Sequence, residues 1–100
     1  MLFLRNMIVK WTKTALKNVS LIADYSAQDK AVRTNTFVQE IRNKTHLLAD
    51  FSELGRPGRV MGTRELVVHK NYIVVYRVRN EQVEIIRVHH VAKLWPKSFE

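Results

Sequence analysis

The feature that most constrains this chain is a change of period near its middle. Up to about residue 48 the apolar residues recur three or four apart, as in amphipathic helices. From residue 60 onward they alternate or run in short β-branched stretches, as in strands. Between the two regimes, residues 51–59 (FSELGRPGR) place Gly55, Pro57 and Gly58 where both periodicities break, and read as a loop with a turn. At 100 residues the chain has room for one domain and one modest core. Helices and late strands must therefore cover each other's apolar faces.

Residues 7–11 (MIVKW) read as a short strand, and Thr12 as the cap of a helix over 12–27. Ala15, Val19 and Ile22 form that helix's apolar stripe, with Leu16 and Ala23 flanking. A break is expected at 26–29, where Asp29 can cap a second helix over 30–48. Its apolar line is Ala31, Val38, Ile41 and Leu48, joined by Thr34 and Thr45. Strands follow at 60–68, 72–78 and 83–89, separated by turns at 69–71 and 79–82. Strict alternation over 83–89 puts Val83, Ile85, Arg87 and His89 on one face, and Glu84, Ile86 and Val88 on the other. The expected class is α+β in two layers. A leading strand and a helical hairpin pack on an antiparallel sheet, in the order β-α-α-β-β-β. The whole of 1–100 reads as a single domain, with 1–6 dispensable and 97–100 a tail.

Charge and missing residue types narrow the function. Seventeen Lys and Arg stand against nine acids, a net charge of +8. Such a surface suits polyanions or an acidic partner. Without cysteine there are no disulfides, thiolate metal sites or Cys nucleophiles. No run has the length of a membrane span or the core of a signal peptide, so a cytoplasmic protein is expected. Phosphate-cradling and serine-nucleophile motifs are absent, and no cofactor is expected. His89 and His90 are neighbours on a strand and point oppositely, so a metal site is not expected; His46 and His69 read as solvated.

The runs GRPGRVMGTRELVV at 55–68, YIVVYRV at 72–78 and VEIIRVHHVAKLWP at 83–96, preceded by WTKTALKNVSLIADY at 11–25, resemble the RelE/ParE superfamily of bacterial toxins. The likeness spans 7–96 and rests on the ordered set rather than on any one piece. It implies the toxin half of a type II toxin–antitoxin pair, silenced by an acidic antitoxin whose partly disordered segment wraps it in a higher-order hetero-oligomer. The superfamily has two activities. RelE-like members cut messenger RNA on the ribosome; ParE-like members poison DNA gyrase without cutting RNA.

RelE-type sites use lysines on the second strand, an arginine on the third, and an arginine and a tyrosine near the C-terminus. Here 60–68 offers Arg64 and Glu65 without a lysine pair, Ile73 stands where an arginine is expected, Leu94 lies near the other arginine position, and no tyrosine follows Tyr76. The resemblance is thus closer to the ParE branch, with no catalytic residue. Arg56, Arg59, Arg77, Arg87, His90, Lys93 and Trp95 are then the expected contacts to target or antitoxin. The alternative is a ribosome-dependent endoribonuclease. Glu65 or His89 would be its base, His90 or Lys93 its acid, and Arg64 and Arg77 its phosphate clamp. That set converges only if the strand register allows it. The plain reading of Glu65 is a cross-strand partner of Arg77 or Arg87.

Overall fold

The computed structural model describes residues 6–29, 31–69 and 71–92, with the side chains of 25–29 and 31–35 outside that description. In chain order the elements are β1 (Ile8–Trp11), α1 (Lys13–Asp29), α2 (Ala31–His46) with a 3-10 turn at Leu47–Ala49, β2 (Arg56–Pro57), β3 (Arg64–His69), β4 (Tyr72–Arg79) and β5 (Gln82–His90). The five strands form one sheet in the order β1-β5-β4-β3-β2. The late strands are antiparallel to their neighbours, while β1 pairs with β5 in parallel. The sheet is therefore mixed, because the helical hairpin carries the chain back to its starting end before the late strands begin.

Thr12 caps α1 as the sequence predicts: its Oγ1 accepts the Ala15 N–H at 3.1 Å. Three boundaries differ from the sequence reading. Helix α1 runs unbroken through 26–29, and Asp29 is its last residue rather than the cap of α2. Nothing in SAQD forces a stop, since it holds neither glycine nor proline. Residues 60–63 are a tight turn rather than strand. The Thr63 N–H reaches the Val60 carbonyl at 3.1 Å, and Gly62 takes a φ of +82° that a side chain would resist. The segment 51–59, read as pure loop, holds the two-residue edge strand β2, where Pro57 is tolerated because an edge leaves its missing N–H unneeded.

The core lies between the helices and one sheet face. Ala15, Phe37, Ile41 and Leu48 meet Val68, Val74, Tyr76, Val83, Ile85 and Val88, all buried, with Met7 closing one end. Phe37 stood outside the predicted stripe of α2, yet it is the buried anchor, and Val38 is only half-buried.

One irregularity sets which residues face that core. Tyr76 pairs with Ile85, but Val75 pairs with Arg87, so Ile86 is an extra residue in β5. Alternation flips there. Val83, Ile85 and Val88 face the helices, whereas Glu84, Arg87 and His89 face away. Strict alternation had grouped Arg87 and His89 with Val83 and separated them from Glu84. Helix α1 serves the backbone groups that the bulge disturbs. The Thr12 hydroxyl sits 3.0 Å from the Ile85 carbonyl and 3.1 Å from that of Ile86, and the Val88 N–H donates to Asn18 Oδ1 at 3.1 Å.

The β4–β5 turn places both Asn80 and Glu81 at positive φ, 54° and 58°. This is the geometry of a two-residue primed turn, which suits asparagine at the first position and glycine at the second. Glu81 sits there against the steric cost of a side chain in the left-handed region. Glu81→Gly should raise stability by about 1 kcal/mol, read as a higher urea midpoint with unchanged slope.

Candidate functional site

The sheet face turned away from the helices collects most of the charged strand residues. Cross-strand partners share a face, so the pairings give its layout as four rows. Ile8, Gln82 and Arg79 form the first row, and Lys10, Glu84 and Arg77 the second. Beyond the bulge, Arg87, Val75, Glu65 and Arg56 form the third, and His89, Ile73 and Val67 the fourth. Val75, in register with Arg87 and Glu65, is fully buried.

Two ion pairs order this face. The Arg77 Nε–H donates to Glu84 Oε1 at 2.6 Å, and Arg79 stands 4.0 Å from the same oxygen. The hydrogen bond from Arg77 holds the Glu84 carboxyl below its ordinary range. Partial burial opposes that shift, and the charges of Arg77, Arg79 and Lys10 reinforce it. The second pair joins the Arg56 guanidinium to Glu65 at 3.1 Å. The other Glu65 oxygen accepts the Arg59 backbone N–H at 2.7 Å. Glu65 is 3% exposed. Its partner is thus Arg56, rather than the Arg77 or Arg87 expected from sequence.

Glu65 belongs to a set of contacts that fasten 51–63 to the sheet edge. The Tyr76 hydroxyl donates to the Ser52 carbonyl at 2.7 Å and accepts the Gly55 N–H at 2.9 Å. Arg64 donates to the Gly55 carbonyl at 2.6 Å. A Cβ on Gly55 would stand 2.7 Å from a Tyr76 ring carbon, so the ring and the loop can meet only over glycine. Burial pushes the Tyr76 hydroxyl above its ordinary value, against the lowering influence of the Gly55 N–H and Arg64; Glu53 adds a small push upward.

Arg56, Glu65, Arg77, Arg87 and His89 share the outer face, and His89 is 4% exposed there. Arg64 and His90 pair with Tyr76 and Tyr72 and so belong to the helix side. His90 Nδ1 accepts the Ala92 N–H at 3.0 Å, and its ring meets Tyr72 edge-on. Arg59 sits in the loop with its side chain exposed, while Lys93, Trp95 and the predicted tail at 97–100 lie outside the described residues. Lys10, Arg79 and Glu84 were missed. Lys10 joins through the parallel pairing of β1 and Glu84 through its pairing with Arg77, while the bulge brings Arg87 and His89 to the same face. His69 is not a solvated turn residue: it ends β3, its Nδ1 lies 2.7 Å from Glu40 Oε2, and its ring stands edge-on to Phe37. Among the described residues no three His, Asp or Glu side chains are grouped to hold a metal ion. No helix among them is long and apolar enough to cross a membrane.

Comparisons with known proteins agree with this architecture. The family model of the ParE toxin of type II toxin–antitoxin systems matches residues 9–95. Y4kP of Sinorhizobium fredii is 36% identical over 90 residues, covering 89% of this chain and 93% of that protein. Toxin RelE2 of Caulobacter vibrioides is 33% identical over 86 residues, covering 86% and 97%. Among solved structures, the chromosomal ParDE system of P. aeruginosa contains a chain that is 25% identical, with a TM-score of 0.80 over 87% of this chain and 98% of that one. A chain of the E. coli DinJ–YafQ toxin–antitoxin complex shares the fold at 16% identity and a TM-score of 0.62, over 91% and 99%.

Tyr76→Phe should cost about 1–3 kcal/mol, because it leaves the part-buried Ser52 carbonyl and the buried Gly55 N–H without their partner. The pH dependence has a definite sign. A folded-state value raised above the unfolded one gives stability that is complete below about pH 10 and is lost as pH rises further. Urea titrations across that range should show the alkaline decline in the parent and a shallower one in Tyr76→Phe.

Proposed function

The chain belongs to the ParE toxin family of type II toxin–antitoxin systems, and from that premise we propose that it acts by binding, poisoning DNA gyrase through the outer sheet face. It works in the cytoplasm and is neutralised by an acidic antitoxin. A partly disordered antitoxin segment orders on the toxin, which requires a large, mostly apolar interface to offset the ordering cost. Half-exposed Leu16 and Leu21 on α1 are apolar groups available for such docking. The toxin and antitoxin then assemble as a hetero-oligomer, as the chains of the E. coli DinJ–YafQ toxin–antitoxin complex do.

The observation that carries binding over cleavage is the state of Glu65. A general base must come within about 3 Å of the proton it removes. Glu65 is buried, with one oxygen on the Arg56 guanidinium and the other on the Arg59 N–H. Its carboxylate acts as a strut for the 51–63 loop. Of the other described members of the alternative set, Arg64 and His90 lie on the helix side and Arg77 and His89 outside; Lys93 is outside the described residues. What the outer face does offer is guanidinium and ammonium groups, which suit recognition of an anionic target.

Purified toxin added to gyrase, ATP and relaxed plasmid should block supercoiling or accumulate cleaved DNA. The same preparation should leave messenger intact on translating ribosomes. Codon-phased cuts with normal gyrase would overturn the proposal in favour of a ribosome-dependent endoribonuclease.

A further inference from the structure

We infer that the segment following α2 is a docking ridge for a basic amphipathic helix of another protein. The segment is 47–55 (LLADFSELG). Its Leu47, Phe51 and Leu54 are 48%, 50% and 50% exposed. Their i, i+4, i+7 spacing is that of one helical face. The chain passes through them in hydrogen-bonded turns. The Phe51 N–H donates to the Leu47 carbonyl at 2.9 Å, and the Leu54 N–H to the Phe51 carbonyl at 3.0 Å. Large apolar side chains exposed as a group mark a contact site, whereas single ones need no explanation.

The ridge is held from beneath. Leu48 is fully buried in the core. The Ala49 carbonyl accepts the Met7 N–H at 2.6 Å. The Ser52 carbonyl accepts the Tyr76 hydroxyl at 2.7 Å, and the Gly55 N–H donates back to that hydroxyl at 2.9 Å. The backbone is thus fixed while the three apolar side chains stay outside. A row fixed in advance loses little freedom on binding, and a row of this spacing fits between the side-chain ridges of a helix.

Charge selects the partner. The chain has 17 Lys and Arg, yet none falls between Lys44 and Arg56. That interval holds two acids, Asp50 and Glu53. Glu40, Glu65 and Glu84 are held by His69, Arg56 and Arg77. Neither Asp50 nor Glu53 has a side-chain hydrogen bond or ion pair among the described residues. The flanking arginines are engaged, Arg56 on Glu65 and Arg64 on the Gly55 carbonyl. Lys44 and His46 stand in the last turn of α2, where the helix dipole favours cations. An apolar row carrying two unpaired carboxylates, in a chain of net charge +8, suits apolar side chains flanked by lysine or arginine. An acidic antitoxin would meet like charge here, so this ridge is distinct from the docking proposed at Leu16 and Leu21.

The test uses the full chain and a labelled amphipathic helical peptide of leucine and lysine, followed by fluorescence anisotropy. A peptide with glutamate at every lysine position is the control. The lysine peptide should bind with a Kd on the order of 10–100 µM, although peptide and protein are both cationic. Asp50→Asn with Glu53→Gln changes charge but hardly shape. It should weaken that binding about two- to fivefold at low salt, and the difference should fade at high salt. Phe51→Ser with Leu54→Ser should weaken it about tenfold or more. Neither double variant should weaken binding of the glutamate peptide. No binding of the lysine peptide, or binding that either double variant leaves unchanged, would overturn the inference. Loss of the glutamate peptide in Phe51→Ser with Leu54→Ser, at an unchanged urea midpoint, would assign the ridge to an acidic segment instead. A dimer of the chain seen by light scattering, and dispersed by the same two changes, would assign it to a second copy.

Discussion

The rest of the structure depends on one extra residue, Ile86, in the pairing of β4 with β5. An antiparallel ladder alternates its side chains with period two, so an inserted residue reverses the assignment of everything beyond it. Up to Ile85 the strand puts odd positions against the helices; from Arg87 onward it puts even ones there. Val88 thereby enters the core, and Arg87 and His89 join Glu84 on the outer face. The bulge is tied to α1 at both ends, through the Thr12 hydroxyl beside the Ile85 and Ile86 carbonyls and the Asn18 side-chain Oδ1, which accepts the Val88 N–H. Helix docking and strand register are thus one event, since the groups displaced from the ladder find partners only when α1 is in place.

The sheet's other edge is organised by a buried polar cluster. Tyr76 spans from the core to the loop, with its ring in the core cluster beside its register partner Ile85 and its hydroxyl on Ser52 and Gly55. Arg64, Glu65 and Arg56 continue the same work toward the outer face. Satisfied networks of this kind hold irregular backbone to one geometry, because each buried partner left over would carry a desolvation cost. They also explain why two residues that look catalytic in sequence, Arg64 and Glu65, are spent on architecture. The outer face is left with more cations than acids among the described residues, which is the basis of the proposed recognition of an anionic target.

Much of this was legible in the sequence because it is periodic. The α+β class, the helical hairpin, the three late strands and the Thr12 cap all follow from local spacing and local hydrogen bonding. Resemblance located the family over nearly the full chain, and the comparisons bear it out. The candidate site was less legible. Arg56, Arg77 and Arg87 were singled out as cations, but Lys10, Arg79 and Glu84 were not seen beside them. Their neighbours come from strands distant in sequence, and one pairing is parallel.

What the sequence by itself determined is therefore the kind and order of the elements, the basic character and the family. Each depends on residues near one another along the chain or on total composition. Only the tertiary structure decided the faces: the flip at Ile86, the entry of Lys10 through β1, the capture of Glu65 by Arg56 and the packing of His69 between Glu40 and Phe37. The physical reason is that a strand's alternation specifies two faces without saying which is inside, and a bulge leaves no local mark. Both are settled by which backbone groups find partners when helix and sheet close on each other.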